Sequence, residues 1–94
     1  MKLEFDPSKS NKNSRDRGLP FEMVEFFEFD TALKVEDVRK DYKEERIVAY
    51  GYIGHRLHVL CFKYIARGHI RVISLRKANA REQKKYAEKI TPIH

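Results

Sequence analysis

The sequence predicts a single α+β domain over residues 1–94, mostly antiparallel sheet with helices, in the order β-α-α-β-β-β-β-α. Three observations predict it. Three strand-like runs follow one another between Arg46 and Leu75 with only short turn signals between them, the pattern of an antiparallel meander. Helix-start signatures bracket that meander, Asp6-Pro7 before it and Asn79 with Glu82 after it. The chain is 94 residues long and 41% hydrophobic, with six Phe and five Tyr, enough for one modest core but not two.

Taken in order, Lys2–Phe5 is a short strand with Leu3 and Phe5 on one face. Asp6 caps a helix with Pro7 in its first position, and Gly18 is a plausible stop. The segment between, SKSNKNSRDR, has no apolar residue, so as an isolated helix it should be unstable; packed ends are what would keep it helical. Phe21, Val24 and Phe27 recur at helical spacing, so Pro20–Glu28 reads as a short helix that supplies core aromatics. Thr31–Asp37 alternates as a strand does, and the charged Val38–Glu45 reads as a loop. The meander strands are Arg46–Ile53, Arg56–Tyr64 and His69–Leu75, with turns at Gly54-His55 and around Ala66-Arg67-Gly68. Asn79 and Glu82 form a capping-box pair for a helix over Ala80–Ile90, which Thr91-Pro92 ends.

Charge narrows the function. Residues 51–94 carry ten Lys/Arg against two Asp/Glu, a net of +8. Residues 1–50 carry ten against twelve, a net of −2, so the +6 of the chain sits in its second half. Such asymmetry points to a phosphate-rich or acidic partner. No apolar run approaches the roughly 20 residues of a membrane span, and MKLEFDP lacks a signal-peptide core, so no membrane is expected. The single Cys61 excludes an internal disulfide and fits a reducing cytoplasm or a buried thiol. His55, His58 and Cys61 do not point one way on a strand, so no metal and no cofactor is expected.

Strand alternation divides the meander into two sets. One, with Ile47, Ala49, Gly51, Ile53, Leu57, Val59, Cys61, Ile70, Val72 and Ser74, is small and apolar, as a helix-covered face should be. The other joins Arg46, Tyr50, Tyr52, Arg56, His58, Tyr64, His69 and Arg71 with Val48, Leu60, Phe62, Ile73 and Leu75. Cations for phosphate and rings for bases are the composition that RNA binding uses. Strand Tyr and Arg also simply cover open faces, with stems packed and heads in water. Arg76 falls on the other parity, at a strand end where geometry is loose.

Four stretches resemble the BrnT family of bacterial type II toxins, ribonucleases related in fold to RelE: FDPSK, RDRGLPFE (Arg15–Glu22), EERIVAYG (Glu44–Gly51) and IRVISLRKANAREQKKY (Ile70–Tyr86). The last is the most specific, with Ser74–Ala78 leading into a basic helix that holds Arg81, Glu82 and Tyr86. The resemblance implies a RelE-like fold and metal-independent RNA cleavage by the 2′-hydroxyl. It also implies a cognate BrnA-like antitoxin, a DNA-binding dimer through which the toxin reaches operator DNA indirectly. Arg71 and Arg76 are then first choices for the scissile phosphate, Arg46 the next, and Glu45 a candidate base or the group orienting an arginine. Glu45 reads equally as an ion-pair partner of Arg46 or Arg71. Lys77, Arg81, Tyr50 and His58 are candidates for RNA binding, and Tyr86 either stacks on a base or anchors its helix to the sheet. Family members commonly carry Lys-His-Gly where this chain has Asp16-Arg17-Gly18, and a Thr-x-Arg pattern near Tyr64-Ile65-Ala66. Two other readings stay open beside the enzyme: a non-catalytic nucleic-acid-binding module, and an inactive toxin that serves only as an antitoxin-bound co-repressor.

Overall fold

The computed structural model describes residues 1–37 and 45–90, so most of the expected 38–45 loop and the expected helix end at Thr91-Pro92 lie outside the described residues. Eight elements follow in the expected order: β1 (Lys2–Glu4), α1 (Pro7–Arg17), a 3-10 helix η1 (Phe21–Phe26), β2 (Leu33–Glu36), β3 (Ile47–Ile53), β4 (Arg56–Ala66), β5 (His69–Lys77) and α2 (Ala80–Ile90). One five-stranded sheet runs β1-β5-β4-β3-β2. It is mixed. The pairs β2–β3, β3–β4 and β4–β5 are antiparallel, but β1 lies parallel to β5, Leu3 opposite Ile70 and Glu4 opposite Arg71. Parallel pairing needs a long connection, and here everything from α1 to β4 intervenes.

The polar helix α1 is held by hydrogen bonds rather than by an apolar stripe. Asp6 accepts from the Ser8 N–H at 2.8 Å, and Gly18, at φ 69°, closes the other end by donating to the Ser14 carbonyl. Buried Ser10 accepts from the Phe21 N–H at 2.8 Å and its hydroxyl donates to Glu22 at 3.1 Å. The Asn13 amide donates to the carbonyls of Leu19 at 2.7 Å and Leu75 at 2.9 Å.

The sheet buries both faces, unequally. The main core lies under α1 and η1: Leu19, Phe21, Val24, Phe27, Ala49, Ile53, Leu60, Phe62, Ile70, Val72 and Leu75. A smaller cluster of Leu57, Val59, Ala78 and Tyr86, edged by Leu33, Val48, Tyr50 and Tyr52, lies on the other face under α2.

This corrects the alternation expected for β4 and β5. The two-residue turn at Gly54-His55 pairs Ile53 with Arg56, three positions on. Paired residues share a face, so odd positions of β3 side with even positions of β4. Leu60 and Phe62 therefore enter the core, whereas Val59 and Cys61 face the opposite way. A bulge follows: Cys61 pairs with Ser74 but Phe62 with Val72, which leaves Ile73 as an extra residue. The bulge switches the parity of β5 midway. Ile70, Val72 and Leu75 all face the core, and Arg71, Ser74 and Arg76 all face the other side. Arg76 thus shares a face with Arg71 because of a specific irregularity, not because the strand end is loose.

Candidate active site

That second face is only partly covered by α2, and the rest forms a groove of about 450 Å³. Register builds its floor in two rows. Leu33, Tyr50, Val59 and Arg76 lie side by side across β2, β3, β4 and β5, and Val35, Val48, Cys61 and Ser74 form the next row. Glu36 and Asp37 close one side, and Glu82 on α2 closes the other.

Arg76 is the best-defined cation of the groove. Its two terminal nitrogens donate to the two carboxylate oxygens of Glu82, each at 2.8 Å. This forked pair is the strongest geometry open to an arginine and a carboxylate. Glu82 is also the capping residue expected from the sequence. It accepts from the Asn79 N–H at 2.9 Å, and its own N–H donates to Asn79 Oδ1 at 2.8 Å. The hydrogen bonds from Arg76 hold the Glu82 carboxyl down at about 2, well below its ordinary 4.5. The pair is therefore ionised at neutral pH, with the Arg76 side chain still 38% exposed.

A second cationic group lies further along. Lys63 sits opposite Arg71, and Arg46 precedes Ile47, whose partner is Phe62, so Arg46, Lys63 and Arg71 span three neighbouring strands. Arg71 lies 3.4 Å from Glu4 on β1. From Val59 to Lys63, the partners of Arg76 and Arg71, is about 13 Å at ~3.3 Å per residue. With Arg76 drawn to α2 and Arg71 to β1, the two arginines do not meet on one point. They mark two stations along one face.

The remaining expected residues fall in several places. Tyr50 lines the groove, half-buried. Arg81 is exposed on the first turn of α2. Glu45 is exposed and lines a separate depression with Lys63, Tyr64 and Ile65. Lys77 is exposed but pairs with His58, so it shares the face away from the groove. His58 is 4% exposed on that same face, within hydrogen-bond distance of the Arg56 carbonyl at 2.8 Å. Burial lowers its pKa, which keeps it neutral; it does not reach the groove. Tyr86 is 7% exposed, its ring edge-on to Tyr52 and its hydroxyl donating to the Thr31 carbonyl at 2.8 Å. Of its two readings, the contacts are those of an anchor. His58 and Cys61 face opposite sides, and no cluster of three or more His, Cys, Asp or Glu gathers among the described residues.

Sequence reasoning missed the groove carboxylates Glu36, Asp37 and Glu82. Asp37 shares parity with Leu33 and Val35, a signal that was present. Nothing local said that β2 would lie in the same sheet as β5, with two strands between them. Glu82 was visible only as a cap, because its pairing with Arg76 depends on where α2 turns back over the sheet.

Chemically, the groove offers a fixed cation, an otherwise uncharged floor with a hydroxyl and a thiol, and carboxylates at its margin. Among the described residues no helix is long and apolar enough to cross a membrane. No curated protein matches the chain. A solved structure does: the crystal structure of the Brucella abortus ribonuclease toxin BrnT is similar, with a TM-score of 0.66 and 28% identity, over 84% of this chain and 97% of that one. The model of the family described as the BrnT ribonuclease toxin of type II toxin–antitoxin systems matches residues 5–82. With more than half of its length so matched, the chain belongs to the BrnT family of ribonuclease toxins of type II toxin–antitoxin systems.

Proposed function

We propose that this chain is a metal-independent endoribonuclease of RelE-like mechanism that inhibits translation. The observation that carries the reading is the groove itself, where register sets Ser74 and Arg76 beside Tyr50 and a bulge puts Arg71 on the same face further along. RNA lies along this face. The 2′-oxygen attacks the adjacent phosphorus and forms the new P–O bond, the bond to the 5′-oxygen breaks, and a proton is returned to that oxygen. DNA lacks the 2′-hydroxyl and is spared. Arg76 stabilises the charge that develops on the phosphoryl oxygens. Arg71, Arg46 and Lys63 receive a neighbouring phosphate, Tyr50 offers a ring to a base and Arg81 adds attraction. Asp37 and Glu36 are better placed than Glu45 to take the 2′-hydroxyl proton, since both line the groove.

The partner is a cognate antitoxin of BrnA type, with a DNA-binding dimeric domain. It covers the basic face and brings the toxin to operator DNA indirectly; complementary charge favours the encounter. Induced expression without antitoxin should stop bacterial growth and degrade RNA, and Arg76→Ala should relieve both. Healthy growth at confirmed soluble expression would overturn the toxin reading. RNA binding without cleavage would favour the non-catalytic module instead.

A further inference from the structure

We infer that Glu82 is a positioning residue of the ribonuclease site, holding the Arg76 guanidinium against the groove wall through a forked ion pair built into the start of α2. The inference rests on the ribonuclease reading above and goes beyond it, since a helix cap would otherwise be purely structural.

The geometry carries it. Arg76 stands on an open sheet face, where an arginine side chain ordinarily samples many rotamers. Two bonds of 2.8 Å to one carboxylate instead fix the plane of its guanidinium. The carboxylate is itself fixed, because Oε1 also accepts from the backbone N–H of Asn79, a bond that does not depend on the Asn79 side chain. Strand β5, the Ala78-Asn79 link and the first turn of α2 thus form one closed ring of contacts around the cation. Glu82 is 17% exposed on its side chain and lines the groove with Arg76, so the pair forms part of the groove wall. Its depressed pKa keeps the pair intact across the pH range in which RNA is handled. A preoriented cation needs no reorganisation as charge develops on phosphate, and this is where rate is gained.

The double role allows a crossed test. Glu82→Gln keeps a capping-box residue type at this position. It replaces one acceptor oxygen by an amide nitrogen, so the fork to Arg76 is broken. Asn79→Ala removes the Oδ1 bond to the Glu82 N–H at the helix start but keeps the Asn79 backbone N–H and the fork between Glu82 and Arg76. Cleavage of a short RNA by the full chain is measured, together with thermal melting and the side-chain NMR signals of Arg76. Glu82→Gln should lower kcat by roughly tenfold to a hundredfold well below its melting temperature, leave KM within a few-fold, melt several degrees below wild type at neutral pH and average the Arg76 guanidinium signals. Asn79→Ala should lower the melting temperature and leave kcat and those signals unchanged. A Glu82→Gln enzyme with wild-type kcat, or one whose loss of kcat Asn79→Ala reproduces at equal stability, would overturn the inference while leaving the ribonuclease reading standing. Absence of cleavage by the wild-type chain would remove both.

Discussion

Asn13 gives the sharpest test of how this fold is held. Helix α1 has no apolar residue along Pro7–Arg17, so packing of a hydrophobic stripe does not account for its docking. In its place one amide donates both of its hydrogens, to Leu19 O at 2.7 Å and to Leu75 O at 2.9 Å. Both partners are acceptors, which leaves only one orientation of the amide. Asn13→Ala removes two hydrogen bonds of about 1 kcal/mol each and leaves two carbonyls to find water, a loss of about 2 kcal/mol. In a domain of this size that is a fall in melting temperature of roughly 8 to 16 °C. Asn13→Asp should do worse, since it sets carboxylate oxygens against two carbonyls, at a cost of about 3 kcal/mol or more. The exposed neighbour Asn11→Ala is the control and should stay within about 0.5 kcal/mol of wild type. The assay is urea denaturation followed by circular dichroism. An Asn13→Ala variant as stable as the Asn11→Ala control would refute the reasoning and show that α1 is docked by something else.

Gly51→Ala should cost about 1 to 3 kcal/mol in the same assay. A methyl there would stand 2.6 Å from the Phe27 ring, itself packed on Phe29 with centroids 4.8 Å apart. Tyr86→Phe should cost about 1 kcal/mol by losing the bond to Thr31 O while keeping the ring in place, and RNA binding should be unaffected. The Glu82 carboxyl is depressed in the folded chain, to about 2 from 4.5, so its contribution is fully present above pH 4.5 and is lost as pH falls toward 2. Denaturation midpoints over that window should therefore decline in the wild type and decline less steeply in Glu82→Gln.

The elements themselves were legible because their signals are local. Asp6-Pro7 and Gly18 bound α1, Asn79 and Glu82 open α2, and the meander turns fall where Gly54 and Gly68 stand. What local pattern did not convey was facing. A two-residue turn pairs position i with i+3, so the faces of β3 and β4 interlock with opposite parity. The two-residue turn length at Gly54-His55 carries that information. The bulge at Ile73 is different, since neither composition nor spacing announces an extra residue in a strand. It decides the site, because without it Arg71 and Arg76 would face opposite sides. The parallel return of β1 to β5 is tertiary, and no short window of sequence contains both strands; Arg76 and Glu82 are only six residues apart, but their pairing depends on how α2 turns back from β5. Of the expected site, Arg46, Arg71, Arg76 and Tyr50 share the groove face, and Arg81 is exposed beside it on α2. His58 is in the core, Tyr86 is a buried anchor, and Lys77 faces away.

The central claim is that the 2′-hydroxyl cuts RNA on this face without a metal ion. The direct measurement is the chemistry of the ends left when the purified chain cleaves an RNA oligonucleotide in excess chelator. The account predicts a 2′,3′-cyclic phosphate on one fragment and a 5′-hydroxyl on the other, no cutting at a site carrying a single 2′-deoxy substitution, and loss of cleavage in Arg76→Ala. Fragments ending in 5′-phosphate and 3′-hydroxyl, or cleavage abolished by the chelator, would contradict it.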